Sequence, residues 1–169
     1  MTLVEFTVAG ALVESDDGVL LVQNRRRSGA VEWSTPGGVI DATDATLLAG
    51  LGREVEEETG LRITAWEGPL YEVRATAVGL GWSLRCEVHR ALAYEGTLTV
   101  DDPDGIVVDA VFTGPGEWAD LLGPCARWVR EPLLAWLEER WGPSEHRAFV
   151  YDVVGTEREH IRVERARGE

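Results

Sequence analysis

At 169 residues, with 44% hydrophobic and 27% charged side chains, the chain has the size and composition of one ordinary globular domain with a full core. Its 30 acidic against 16 basic residues give a formal net charge of -14, which argues against a nucleic-acid polymer as partner, since backbone affinity comes from clustered Lys and Arg. A small nucleotide stays admissible, because a bound metal ion would neutralise its charge locally.

Leu3 to Val13 is rich in Val, Phe, Leu and Ala, breaks at Ser15-Asp16-Asp17-Gly18, and resumes at Val19-Leu20-Leu21-Val22. The two runs read as a hairpin with a Gly-containing turn. Gln23-Asn24-Arg25-Arg26-Arg27 closes the second strand. Three consecutive arginines in an acidic chain are placed to meet phosphate oxygens, with Arg25 or Arg26 as the candidate contact. A solvated basic loop is the simpler alternative. Met1 to Gly10 lacks the basic start and cleavage site of a signal peptide, and no apolar run approaches the roughly 18 residues of a membrane span. Cys86 and Cys125 have neither metal-ligand spacing nor a disulfide framework, so a cytoplasmic location is expected.

Thr46 to Thr59 predicts a helix, with Gly60 as its left-handed C-cap. Leu47, Leu48, Leu51 and Val55 would face a sheet. Gly50 and Gly52 inside the helix cost about 1 kcal/mol each relative to alanine, which points to close packing on a strand or on the glycine loop before it. Glu54, Glu57 and Glu58 stand at i, i+3 and i+4, so three carboxylates crowd one turn. Like charges at that spacing repel. They make sense around a hard divalent cation, which takes oxygen ligands and bridges carboxylates to substrate phosphates. A solvated acidic face is the alternative.

Beyond the helix, Arg62 to Val78 alternates poorly, and Trp82 to Tyr94 has period-two apolar positions that slip, a strand with a bulge. His89 falls on the polar side and is expected at the surface. Asp101-Asp102-Pro103-Asp104-Gly105 forms an acidic loop, followed by a strand over Ile106 to Thr113 and a short helix from Gly116 to Leu122. Cys125 to Trp141 has helical spacing interrupted by Pro132, predicting a kink or a start near Glu131. Arg147 to Val154 and His160 to Arg165 read as two strands joined at Gly155-Thr156-Glu157. They could complete the sheet, cover a cleft or pair with another subunit.

The stretch Gly37 to Ile63, GGVIDATDATLLAGLGREVEEETGLRI, resembles the Nudix box, G-x5-E-x7-R-E-U-x-E-E-x-G-U, where U is bulky and aliphatic. Arg53 to Leu61 matches without a gap, and Trp33-Ser34-Thr35-Pro36-Gly37-Gly38 is similar to the family's entry into the box. The first half departs from the pattern. It is one residue too long, which places the surplus in the loop Asp41 to Ala45, and the box's first Glu is missing. Asp44 keeps the spacing from the glycine, and Ala45 keeps the spacing from Arg53.

The resemblance implies a Nudix α/β/α sandwich, with a mixed β-sheet carrying the box helix on one side and the C-terminal helix on the other. Residues 1–142 would form the hydrolase domain and 143–169 a C-terminal β-hairpin extension of it. It implies a pyrophosphohydrolase that cleaves the diphosphate of a nucleoside diphosphate linked to a group X. Glu54, Glu57 and Glu58, with the Gly38 carbonyl, would hold Mg²⁺, for which Mn²⁺ could substitute. Glu54 is the first choice of base, Glu57 the second, and Asp104 the loop candidate, with Arg53 as an orienter. Tyr71, Trp82 and Trp33 are candidates for base stacking, against core packing. Nudix subfamilies specific for ADP-ribose or diadenosine polyphosphates carry a proline or tyrosine a short way past the box, and Thr76 to Gly79 has neither. The expected partner is a small nucleotide, with no membrane and with homodimerisation open. A nucleotide-sugar sensor without hydrolysis is the second reading, favoured by the irregular first half of the box.

Overall fold

The computed structural model describes residues 2–166. Ten strands form two sheets. The larger has six strands in the order β10-β9-β6-β7-β1-β5, and the smaller has four, with β3 paired to β2, β4 and β8. The ranges are β1 Val4–Leu12, β2 Glu14–Ser15, β3 Gly18–Arg25, β4 Val31–Ser34, β5 Gly37–Val39, β6 Arg62–Ala77, β7 Trp82–Glu95, β8 Val107–Thr113, β9 Arg147–Val154 and β10 Arg162–Arg165. The helices are α1 Leu47–Thr59, α2 Pro115–Leu122 and α3 Arg127–Glu139. Parallel β1–β7 and β6–β9 pairs beside antiparallel β1–β5, β6–β7 and β9–β10 make the large sheet mixed, as the sequence predicts.

The two faces of this sheet bury two different cores. On one, Leu51 and Val55 of α1 pack with Ala9, Ala11, Leu20 and Leu61. On the other, Leu133, Trp136 and Leu137 of α3 pack with Tyr71, Val73, Phe149 and Tyr151. Leu51 is fully buried, so its truncation to alanine should cost roughly 2–5 kcal/mol. The ends of α1 follow the sequence closely. Thr46 Oγ1 accepts the Ala49 N–H at 3.0 Å, and Gly60 closes the helix at φ 75°. Thr59 Oγ1 donates to the Val55 carbonyl at 2.6 Å and accepts the Leu61 N–H at 3.2 Å, which leads the chain directly into β6.

Three expectations are corrected. The first two apolar runs form the expected hairpin only at its tip, where β2 pairs with β3 across the turn at Gly18. The chain changes sheets at Val13, so β1 pairs with β7 and β5, whereas β3 pairs with β2, β4 and β8. Ala9 to Val13 and Val19 to Val22 are buried continuously, so the hydrophobicity of these stretches could not reveal the partner. His89 is not at the surface, its side chain being only 7% exposed. It does alternate away from Val88, but the segment at Gly68 lies against its ring, where a methyl on Gly68 would come within 2.9 Å of Nδ1. Finally, α3 starts at Arg127 and runs through Pro132. The apolar face Trp128, Val129, Leu133 continues across the proline, so packing retains a first turn that the missing N–H weakens.

Of the readings of the terminal hairpin, completion of the sheet is the one the structure displays. Strand β9 lies parallel to β6 over Tyr71–Thr76, and β10 forms the edge beyond it.

Candidate active site

Strand β5 and the C-terminal half of α1 bring the box together. Gly38 faces the Glu54 side chain so closely that a Cβ there would lie 3.3 Å from the carboxyl carbon. Gly37, at φ 143°, has its Cβ position 2.1 Å from the Ala9 carbonyl oxygen, so no other residue fits. Its N–H donates to Glu58 Oε2 at 3.1 Å. The glycine pair thus touches two of the three box glutamates directly.

Arg53 organises the remaining acids. Its Nε and Nη2 donate to Asp44 Oδ1 and Oδ2, each at 3.1 Å, a two-bond fork on one carboxylate. Its Nη1 reaches Glu54 Oε1 at 3.2 Å and Glu57 Oε2 at 3.3 Å. The clustered carboxylates therefore have a counter-charge within the chain, because Arg53 stands between Glu54 and Glu57. Asp44 also accepts the Asp41 N–H at 2.9 Å. The Arg53 bonds, then that N–H, hold its carboxyl below the usual range. Gly50 supplies the room, since a Cβ there would meet Asp44 Oδ2 at 2.6 Å. Gly52 has nothing within 4 Å of that position, and the structure gives no packing reason for it.

Burial sets the electrostatics. Desolvation raises the Glu54 carboxyl despite Arg53. Glu58 is 7% exposed, and burial pushes it up to about 8 against the opposing Gly37 N–H, with Glu54, Asp102 and Glu57 adding repulsion. The loop before β8 supplies two of these neighbours. Asp104 is exposed and acts on Glu54, while Asp102 acts on Glu58. Asp102 also ties the loop, accepting the N–H groups of Asp104, Ile106 and Val107.

The donor set suits a hard divalent cation. Its side-chain ligands are all carboxylate oxygens, and burial raises the carboxyl of the most enclosed of them, Glu58. Among the described residues no three potential ligands are already gathered at metal-binding spacing.

Beside the glycines lies a cavity of about 310 Å³. Its floor is the large sheet, at Val8, Gly10, Tyr71, Leu84 and Val88. The β3–β4 pair forms one wall with Asn24 and Trp33, and α3 the other with Trp128 and Val129. Tyr71 is 3% exposed and packs edge-on to Trp141 and Phe149, so it belongs to the core and to the cavity floor at once. Arg26 lines the cavity mouth, ion-paired to Glu32, whereas Arg25 is exposed and outside the lining. Asn24, Ser34, Cys125 and Trp128 were not singled out by the sequence. A bulge between Gln23 and Asn24, which re-aims side chains, leaves no mark in residue pattern.

Comparison with known proteins agrees with this geometry. A MutT-like protein of Streptomyces ambofaciens is 46% identical over 57 residues, and that match spans about a third of the length of each chain (34% of both). The structure is similar to a MutT protein from Bacillus halodurans, with a TM-score of 0.67 at 22% identity over 94% of this chain and 97% of that one. It is also similar to an ADP-ribose pyrophosphatase from Streptococcus suis, with a TM-score of 0.52 at 24% identity over 85% and 98%. These identities bear on the fold alone. The NUDIX domain family model matches residues 5–137, from the first strand through α3 and across the whole site. With the box helix, its glycine entry and its arginine-held acids in place, the chain belongs to the NUDIX family.

Proposed function

We propose that the protein is a Mg²⁺-dependent pyrophosphohydrolase that splits the diphosphate of a nucleoside diphosphate linked to a group X. The observation that carries this reading is the shared glycine pair. Gly37 and Gly38 touch Glu58 and Glu54 on one side and line the cavity on the other. A nucleoside held in the cavity would thereby present its diphosphate to the carboxylates.

Glu54, Glu57 and Glu58, with the Gly38 carbonyl, would hold the ion. When bound, Mg²⁺ would neutralise the diphosphate and lower the pKa of a coordinated water. Glu54 is the first choice of base. Burial raises its carboxyl, and a stronger base accepts the attacking water's proton more readily at Oε. Arg53 orients Glu54 and Glu57 through Nη1 while Asp44 fixes the guanidinium from the opposite edge. Asp104, beside Glu54, is the alternative proton acceptor, and Arg26 at the cavity mouth is the candidate substrate contact. Free Cys86 and Cys125 fit a reducing cytoplasm.

A nucleotide-sugar sensor is the second reading, favoured by the absence of a pregathered ligand set among the described residues. A panel of nucleoside diphosphate derivatives, assayed for phosphate-ester products with and without Mg²⁺, decides between them. Turnover of at least one member supports the hydrolase. Tight binding of a nucleotide sugar with no turnover of any member supports the sensor.

A further inference from the structure

We propose that Asp44, and not Ala45, fills the place of the missing box glutamate, and that Asp41 and Thr43 are positioning residues that hold it on Arg53. The inference rests on the proposed function, in which Arg53 orients Glu54 and Glu57. Within the loop 41–45, Asp41, Ala42, Thr43 and Ala45 are exposed, whereas the Asp44 side chain is turned in and only 9% exposed. Regular spacing from Arg53 would put the acid at Ala45. Asp44 stands one residue farther from Arg53, and its side chain is one methylene shorter than a glutamate's. Both departures widen the gap to the guanidinium, so the main chain has to bend back to close it.

A tight turn supplies the bend. The Asp44 N–H donates to the Asp41 carbonyl at 3.0 Å, closing four residues into a β-turn. Asp41 Oδ1 accepts the Thr43 N–H at 2.9 Å and the Thr43 hydroxyl at 3.1 Å, an Asx closure that pins the middle of the turn. In return, the Asp41 N–H donates to Asp44 Oδ2 at 2.9 Å. That oxygen also accepts from Arg53 Nη2, while Oδ1 accepts from Nε. The carboxylate is thus gripped by the turn on one side and by the guanidinium on the other.

The helix makes room for it. A Cβ on Gly50 would stand 2.8 Å from Asp44 Cγ and 3.1 Å from Ile40 Cδ1, so the acid lies directly on bare helix backbone. With Nε and Nη2 taken by Asp44, Arg53 has only Nη1 left for Glu54 and Glu57. A slack turn would release the other two nitrogens to follow those glutamates, tightening the arginine on the groups proposed to hold the ion. Loss of the turn is therefore felt at the glutamates, through Asp44 and Arg53 in series.

The test is a double-mutant cycle on kcat and KM, with the Arg53 Nε–H proton resonance followed in the metal-free protein. Asp44→Ala should lower kcat about tenfold at unchanged KM. Asp41→Ala should lower it a few-fold, and Asp41→Asn, which keeps an oxygen for Thr43, should recover most of that loss. Because the residues act in series, Asp41→Ala combined with Asp44→Ala should lose no more than Asp44→Ala alone. Asp44→Ala combined with Ala45→Glu restores the regular spacing but starts from an exposed position, so kcat should stay low. The Nε–H signal should lie downfield in wild type, weaken in Asp41→Ala and leave that position in Asp44→Ala. Should Asp41→Ala fail to fold, Thr43→Val removes the hydroxyl bond alone and takes its place in the cycle. Additive losses, wild-type kcat on adding Ala45→Glu, or an Nε–H signal indifferent to both residues would overturn the proposal while leaving the hydrolase reading intact. Turnover of no diphosphate, with the Nε–H signal responding as stated, would do the reverse.

Discussion

The two sides of the Gly37–Gly38 pair are built on opposite principles. On one side, four acids and one arginine from a short continuous stretch crowd together, and their charges are resolved by Arg53 and by burial. On the other, the cavity is assembled from both sheets and from α3, with polar side chains such as Asn24, Ser34 and Thr35 set among apolar ones. Under the proposed function, the difference separates chemistry from recognition. Reaction needs acids at fixed helical spacing, which one helix can supply, whereas shape needs walls from elements distant in sequence.

If that division is real, changes on one side should leave the other untouched. Chelation should have the largest effect. Excess EDTA should abolish turnover while binding of a nucleoside monophosphate, read by tryptophan fluorescence, stays the same. Undiminished turnover would remove the metal from the account. Next is Glu54→Gln, for which a loss of roughly 10²- to 10⁴-fold in kcat is expected with little change in KM, the range of a positioned proton acceptor. An effect confined to KM would move Glu54 out of the proton transfer.

Asp44→Ala should cost about tenfold in kcat, or about 1.4 kcal/mol in the barrier, because Arg53 loses its fixed fork but keeps its contacts to Glu54 and Glu57. A loss as large as that of Glu54→Gln would make Asp44 an equal member of the acid set. The smallest effect separates the two helix glycines. Gly52→Ala should stabilise the fold by about 1 kcal/mol, since the added methyl meets nothing. Gly50→Ala should show no such gain and should lower kcat, because its methyl would displace Asp44. Equal stabilisation by both, with full activity, would detach Gly50 from the site.

The charged side was largely legible in the sequence. Caps, helix phase and the three glutamates are local, and the positions of Thr46, Gly60, Glu54, Glu57 and Glu58 follow from spacing alone. The surplus residue was legible as an irregularity but not as a solution. Whether Asp44 or Ala45 takes the missing position depends on a side-chain bond to Arg53 and on space above Gly50, neither of which is written in the spacing. The cavity was hardly legible. Tyr71 and Trp33 read equally as core or as stacking residues, and Asn24 as the end of a strand, because their roles arise where the two sheets face each other. His89 shows the same limit, since alternation gives the face of a strand but not what covers it.

Glu58 offers the most direct test of the claim that the box acids are arranged for a metal and not for the fold. Its carboxyl is raised to about 8 from an ordinary value of 4.5. The unfolded chain therefore ionises this group from about pH 4.5, while the folded protein resists until about 8. Its contribution to stability is full below the lower value and is lost as pH rises through the window. Metal-free wild type should thus lose melting temperature between pH 5 and 8, and Mg²⁺ should restore it at pH 8. Glu58→Gln keeps an oxygen to accept the Gly37 N–H but cannot ionise. The decisive measurement is this variant's metal-free melting curve against pH beside its initial rate in saturating Mg²⁺. The account predicts a flatter pH slope and higher stability at pH 8, with turnover reduced by at least the roughly hundredfold typical of losing a supporting group at a metal site. A variant that is fully active, or that melts lower than wild type at pH 8, would contradict it.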